Sequence, residues 1–234
     1  MAANVETMFY TRTKPWHGLG TMVEKAPTSE AALELAGLDW QVMAEALKLV
    51  QKKLVTDGGI EVPGFKANLR ETDNQVLGVV SDRYKVVQNA DAFSFTDALL
   101  EEGVTYETAG SLQNGRRTWI LAKLPTRYII SGDEITPYLV FMNSHDGSGS
   151  IKAAMTPIRV VCQNTLNMAL ANAKRSWSCN HIGDIDDKME EARNTLLYAN
   201  RYMAELGKRI DEMQGIKLMD KKVYEFLNEL FPMD

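Results

Sequence analysis

The sequence predicts an α+β fold in which two strand-strand-helix halves form a mostly antiparallel sheet with packed helices. Short apolar segments separated by turn residues lead twice into helix-like segments, and Asn114-Gly115 lies between two segments of alternating polarity. Apolar residues then recur every three or four positions from 185 to 213, which indicates a long C-terminal helix with a heptad-like seam. We therefore predict an α+β core domain over residues 1–180 and a C-terminal helical segment over 181–234.

The first half opens with a short helix. Thr28 or Ser29 provides an N-cap, and Gly37 ends the helix because glycine readily adopts the left-handed conformation of a C-cap. A turn-rich β region follows, with Asp57-Gly58-Gly59 as its hairpin signal.

Two strands and a second helix complete the first half. Val76–Val80 and Tyr84–Val87 are predicted strands separated by a polar turn. Asn89–Glu101 has a polar start and spaced apolar residues, so it is predicted to be a helix that ends at Gly103.

The second half contains the clearest hairpin signal. Thr105–Leu112 and Arg116–Leu124 flank Asn114-Gly115, a pair that favours a type I′ turn because both central residues need positive φ. Ile135–Met142 is a further predicted strand.

A helix is predicted to begin at Thr156-Pro157, since threonine is an N-cap residue and proline suits the first helical position. This helix would bury one apolar stripe. Arg159, Gln163 and Asn167, spaced by four, would form a polar stripe that faces outward.

The C-terminal segment shows the heptad-like seam. Two interpretations of this helix stay open, because it would either pack on its own domain or mediate self-association. Val223, Leu227 and Leu230 predict a shorter amphipathic helix that ends at Pro232. The seam consists of Ile185, Met189, Ala192, Leu196, Ala199, Met203, Leu206, Ile210 and Met213.

Composition narrows the class of protein. With 234 residues and 45% hydrophobic content, the chain can bury a sizeable core. No apolar segment is long enough to span a membrane, and no secretory signal opens the chain, so we expect a cytoplasmic protein. Two cysteines are too few for a disulfide framework and fit a reducing compartment.

Charge is distributed unevenly along the chain. Residues 110–180 carry eight Lys/Arg against three Asp/Glu, a net +5, whereas the remainder carries 18 against 28, a net −10. A pI near 5.4 argues against coating of duplex DNA by bulk charge. A local basic groove for nucleic acid is still compatible with it.

The basic segment predicts a nucleic-acid-binding surface. Alternation places Arg117, Trp119 and Lys123 on one strand face, and an aromatic ring between cations suits single strands. Trp119 would equally fit a half-buried core position, and each charge alone would fit a solvated surface. The predicted set is Arg116, Arg117, Trp119, Lys123, Lys152, Arg159, Gln163, Lys174 and Arg175.

The loop Ser144–Ser150 is the best candidate for chemistry. His145 and Asp146 would serve as a base and its orienting partner, and the glycines would let backbone N–H groups converge on an anion. Adjacent side chains on an extended segment point to opposite sides, however, and a structural turn explains the same residues.

We expect neither a metal nor another cofactor. His145, Cys162, Cys179 and His181 lack the paired spacing of structural zinc sites. Near the N-terminus, Trp16 is expected to dock in a groove beside two glycines that allow a tight bend.

Six segments of the chain together resemble a family of phage- and plasmid-encoded proteins, domain-of-unknown-function family 932. The resemblance implies a mobile-element context and a bacterial host cytoplasm, and it supplies no catalytic residues. Longer members continue past Asp234. The matching segments are Pro15–Gly20, Ala36–Trp40, Tyr84–Asn89, Ala109–Leu112, Ser144–Ser148 and Arg159–Leu166.

The sequence therefore predicts a non-catalytic mobile-element protein that binds or anneals single-stranded nucleic acid and forms homo-oligomers. Its β-β-α order with a basic hairpin is similar to phage single-strand annealing proteins of the Rad-type recombinase group, without a shared motif. No residue selects DNA over RNA, and only the mobile-element context favours DNA. An anti-defence or host-takeover protein that binds a host protein is the alternative. A hydrolase-like enzyme centred on His145 and Asp146 is a third hypothesis.

Overall fold

The structure of the protein is a computed structural model. It describes residues 4–25, 28–50, 53–55, 59–99, 105–124, 128–130, 133–171, 173, 176–185, 187–188, 208–209, 212–213 and 220–230. The strands are β1 (Val5–Tyr10), β2 (Thr21–Met22), β3 (Val42–Val50), β4 (Lys53–Val55), β5 (Ile60–Arg70), β6 (Val76–Ser81), β7 (Thr105–Leu112), β8 (Arg117–Lys123), β9 (Tyr128–Ile130), β10 (Asp133–Ile135), β11 (Tyr138–Ser144), β12 (Ile151–Thr156) and β13 (Ser176–Cys179). The helices are α1 (Ser29–Ala36), α2 (Asn89–Leu99), α3 (Gln163–Ala171) and α4 (Asp220–Leu230).

A seven-stranded sheet forms the centre of the fold, in the order β13-β12-β11-β8-β7-β1-β2. The β1–β2 pair is parallel, and the other neighbours in this sheet are antiparallel. A second antiparallel sheet has the order β4-β3-β5-β6, and β9 pairs with β10. These observations confirm the predicted α+β class with mostly antiparallel pairing. The strands of the first half, however, form a sheet of their own.

Both faces of the seven-stranded sheet are covered. Ile120 and Ala122 of β8 pack with residues of α1 and α2, whereas Trp119 and Leu121 pack with residues 160–162 and α3 on the opposite face. The predicted alternation along β8 is therefore confirmed. Since each face has its own apolar layer, every residue from 118 to 122 is buried.

The local signals of α1 and of the β7–β8 hairpin are also confirmed. Thr28 Oγ1 accepts a hydrogen bond from Ala31 N, and Gly37 adopts φ 64° as the C-cap. The hairpin loop has four residues rather than two, and Gln113, Asn114 and Gly115 all have positive φ.

Two predicted element boundaries are wrong. Tyr84–Val87 is not a strand, because Lys85 N donates to His181 O outside the sheet. The helix predicted from Thr156 begins only at Gln163, since Thr156 still pairs with Tyr138 as the last residue of β12. Thr165 Oγ1 then accepts from Cys162 N at 3.0 Å at the helix start.

The seam predicted for the long C-terminal helix lies almost entirely outside the described residues. Within the described part, α4 confirms the shorter helix, and its described side chains are exposed. The division of the chain at residue 180 stays a prediction.

Candidate functional site

The loop after β11 is held against the second sheet. An added Cβ on Gly78 of β6 would lie 2.5 Å from the Cα of Asp146, so the absence of a side chain at Gly78 permits this approach. Asn68 Nδ2 donates to His145 O at 2.8 Å, and His145 N donates to Arg116 O at 2.8 Å. The loop is thus fixed from two sides.

Asp146 is an ionised carboxylate in this loop. Its Oδ1 accepts from Ser144 Oγ at 2.7 Å, from Ser148 N at 2.9 Å and from Ser148 Oγ at 2.7 Å. Burial opposes the charged form, but these hydrogen bonds and the charge of Arg117 outweigh it and lower the pKa of Asp146.

His145 points away from Asp146 and into the core. Its side chain is fully buried, and its Nε2 donates to Asn89 Oδ1 at 3.0 Å, an oxygen that also accepts from Thr118 Oγ1. Burial, together with repulsion from His181, lowers the pKa of His145 to about 3. His145 is therefore neutral at pH 7.

The acid–base interpretation of His145 and Asp146 is not supported by this geometry. The two side chains have separate hydrogen-bond partners, and His145 cannot reach solvent to collect or release a proton. The structural-turn interpretation accounts for both residues.

A cleft of about 300 Å³ opens beside this loop. The ring of His181 stacks on Tyr84 with centroids 4.5 Å apart, and Tyr84 Oη donates to Ser144 O at 2.5 Å. Residues of its wall include Val80, Ser81, Tyr84, Asp146, Asn180 and His181. The segment after β13 thus supplies one wall and the Asp146 loop another.

His181 has a defined protonation state in this cleft. Its Nδ1 contacts Lys85 O at 3.0 Å and must donate, because a carbonyl oxygen only accepts. Burial lowers the pKa of His181 against the weaker opposing effects of that hydrogen bond and of Asp146. The neutral ring therefore carries its lone pair on Nε2, which finds no hydrogen-bond donor among the described residues.

The predicted nucleic-acid residues differ widely in accessibility. Trp119 has no exposed surface, so no base can stack on it, and the core interpretation is correct. Gln163 is buried and donates to Asn167 Oδ1 at 2.9 Å. Arg116 is exposed, and Arg117 donates to Ser148 Oγ at 3.0 Å. Lys174 and Arg175 lie outside the described residues.

Arg159 is part of an ion-pair cluster instead of an outward helical stripe. Its Nε lies 2.7 Å from Glu107 Oε1, and its Nη2 donates to Thr11 O at 2.7 Å. Arg12 donates to the same carboxylate and to Tyr138 Oη. Glu107 is nearly fully buried; burial opposes its ionisation, but the bonds from both arginines prevail and lower its pKa.

The predicted cations form two groups rather than one groove. Arg117 pairs with Ser144 at one end of β8, and Lys152 pairs with Met142, two register positions away. Lys123 at the other end pairs with Tyr138, the partner of Arg12. Lys123 lies six positions beyond Arg117 along β8, a distance of about 20 Å.

Sequence reasoning missed Trp16 as an accessible aromatic residue. Trp16 is 67% exposed instead of docked in a groove. Its neighbour His17 contacts Val161 O at 2.9 Å, which fixes this segment beside the loop before α3. A proline, an aromatic residue and two nearby glycines gave no indication of which way the ring would face.

The family described as "Domain of unknown function (DUF932)" matches residues 76–234, more than half of the chain. The chain belongs to domain-of-unknown-function family 932. This match begins at β6, so the DUF932 region contains the Asp146 loop, the His181 wall and β8, whereas Trp16 precedes it. No curated protein and no solved structure matches the chain.

Two further properties of this DUF932 protein concern membranes and metal ions. None of the helices in the described part is long and apolar enough to cross a membrane. Among the same residues, no group of three His, Cys, Asp or Glu side chains is placed to hold a metal ion.

Proposed function

We propose that this protein binds single-stranded nucleic acid at a surface that we name the Trp16 rim. The rim consists of Arg12, Lys14, Trp16, Lys123 and Arg159. The observation that carries the proposal is the exposed indole of Trp16, because bases stack on aromatic faces while cations contact the phosphates. Lys14 lies two residues before Trp16 in the chain, and His17 ties the same segment to Val161, two residues after Arg159.

Trp16 has a fixed setting for such stacking. Its ring meets the His17 ring edge to face, with centroids 5.3 Å apart. Since His17 is in turn bonded to Val161 O, the indole is anchored along one edge while most of its surface stays open. A pre-oriented ring loses little conformational entropy when a base binds.

The rim also has a net positive charge. Four cationic side chains, Arg12, Lys14, Lys123 and Arg159, accompany one carboxylate, Glu107, which leaves +3. If about three phosphates are neutralised, the logarithm of the binding constant should fall with the logarithm of salt concentration with a slope of roughly −2.

The mobile-element setting, annealing activity and preference for DNA belong to the same proposal and derive from the family resemblance and the predicted chemistry. Binding of single strands is the step that any annealing requires. Annealing therefore becomes worth measuring only once binding is observed.

The test is fluorescence anisotropy of labelled single-stranded and duplex DNA and RNA at two salt concentrations. Trp16→Ala should weaken single-strand binding about 5- to 150-fold, since one stacked base contributes roughly 1–3 kcal/mol. Trp16→Phe should recover part of the loss. Phe65→Ala is the matched control, because Phe65 is 52% exposed on the other sheet.

Arg116→Ala combined with Arg117→Ala separates the two cation groups. We expect this variant to retain most of the affinity, since the hairpin end of β8 lies far from the rim. If it abolishes binding while Trp16→Ala does not, the surface lies at the hairpin and the rim proposal is wrong.

We also propose that the protein associates with itself or with a host protein through α4. Val223, Tyr224, Phe226 and Leu227 are all exposed on this helix, and apolar side chains at such spacing usually face a partner. Phe226→Ser with Leu227→Ser should abolish association in sedimentation velocity or in nuclease-treated pull-downs, whereas Lys222→Ser should not. Equal association of both variants would exclude α4 as the interface.

A further inference from the structure

The geometry points to a second site, the cleft between the Asp146 loop and the His181 wall, as a binding site for a small organic cation that carries N–H donors. We infer that an ammonium or guanidinium group binds there, donating to Asp146 and to His181. This site is separate from the Trp16 rim and does not depend on nucleic-acid binding.

The first step of the argument is the chemistry of His181. His181 is only 3% exposed, its Nδ1–H donates a hydrogen bond to Lys85 O, and stacking on Tyr84 fixes the plane of its ring. The remaining Nε2 atom can only accept, and it meets no donor among the described residues. A buried acceptor without a donor is costly, so a ligand that donates there gains the energy of satisfying it.

The second step is the charge of Asp146. All its hydrogen bonds within the described residues go to Oδ1, which leaves the lone pairs of Oδ2 for a ligand. The carboxylate is held in its ionised form by Ser144 and Ser148. A cation that donates hydrogen bonds suits a carboxylate better than a neutral donor does.

The charge of the cleft supports the same ligand class. Among its wall residues, Asp146 is an ionised carboxylate and His181 has a lone pair on Nε2, so both groups accept hydrogen bonds. An anion would meet the Asp146 charge, so the site disfavours phosphate or carboxylate ligands.

The size and walls of the cleft fit a small molecule. A volume of about 300 Å³ is at the lower end for small-molecule sites and exceeds what a bare metal ion occupies. Within the described residues, Asp146 and His181 also have no third His, Cys, Asp or Glu that would complete a metal site. Val80 supplies an apolar contact for the ligand's carbon chain.

The experiment is an NMR titration of the ¹⁵N-labelled full chain, following the His181 ring nitrogens, with agmatine as the probe. Agmatine carries both an ammonium and a guanidinium group. Tetramethylammonium is the matched control, because it has the same type of charge without N–H donors. We expect agmatine to shift the His181 Nε2 resonance saturably and tetramethylammonium to leave it unchanged.

Variants locate the binding. Asp146→Asn should weaken agmatine binding at least about tenfold, since a hydrogen bond to a charged group is lost. Asp82→Asn removes a charge from an exposed neighbouring position and should have no effect. His181→Phe keeps a ring against Tyr84 and should also abolish binding. Because this variant has no His181 resonance, its binding is measured by isothermal titration calorimetry, with the circular-dichroism spectrum confirming that the variant is folded.

Three results would overturn the proposal. One is the absence of any His181 shift with millimolar agmatine, and another is equal binding of tetramethylammonium. The third is a shift caused by Zn²⁺ alone and not by agmatine, which would make the cleft a metal site. None of these outcomes bears on single-strand binding at the Trp16 rim.

Discussion

Acidification from pH 7 to pH 5 should destabilise the protein through His145. In the unfolded chain this imidazole has a pKa near 6.5, whereas burial holds its folded pKa at about 3. Between these values the unfolded state binds a proton that the folded state does not. Stability contributed by the neutral ring is therefore present above pH 6.5 and is lost as the pH falls toward 3.

The magnitude follows from the two pKa values. At pH 7 the unfolded ring is about one-quarter protonated, and at pH 5 it is nearly fully protonated, while the folded ring stays neutral at both. The free energy of unfolding should decrease by about 2 kcal/mol over this interval from His145 alone. His181, whose pKa is also lowered, acts in the same direction.

The carboxylates do not obscure this interval. Glu107 and Asp146 have pKa values below their ordinary values of 4.5 and 3.8, so the stability they contribute is lost only at lower pH. The assay is urea unfolding at pH 7, 6 and 5, with the slope against urea held common to all curves.

His145→Gln provides the decisive comparison. Glutamine retains an N–H donor for Asn89 but does not titrate, so the loss between pH 7 and pH 5 should be about 2 kcal/mol smaller than in the wild type. The variant's lower starting stability does not matter, because only the difference between pH values is compared. An unchanged pH dependence would refute the assignment of a buried neutral His145.

Three further predictions concern a buried ion pair, a close backbone contact and an exposed ring. The same unfolding assay at pH 7 checks each of them. Glu107→Gln should lower the free energy of unfolding by about 2–3 kcal/mol. This loss is below the 3–5 kcal/mol typical of a broken buried pair, because Arg12 is half-exposed and can regain water. An unchanged free energy of unfolding would contradict a structural role for Glu107. Gly78→Ala should cost about 1–3 kcal/mol, since its Cβ would overlap the Asp146 backbone, whereas Val79→Ala on the exposed side should cost less. Trp16→Ala should leave stability within about 0.5 kcal/mol of the wild type, and a larger loss would show that the ring packs.

Local chemistry explains what could be predicted from the sequence. The Thr28 and Gly37 caps act within a few residues of themselves, so α1 was predictable with its boundaries. The Asn114-Gly115 hairpin is equally local, and its register follows from the alternation of β8.

Tertiary packing explains what could not be predicted. Alternation places Trp119 on a face of β8, but whether α3 covers that face depends on residues 40 positions away. Arg159 was misassigned because Thr156-Pro157 has the chemistry of a helix start, while pairing with β11 keeps Thr156 in a strand. Burial of His145 and exposure of Trp16 likewise depend on contacts with distant segments.

The stack of His181 on Tyr84 has a practical consequence for dividing this protein. The boundary suggested by the heptad-like spacing lies at residue 180, one position before the ring that covers Tyr84 and returns a hydrogen bond to Lys85. A fragment that ended there would expose a buried tyrosine and remove one wall of the cleft. An independently folding unit therefore has to extend past Ile185, which packs on the core from beyond that boundary.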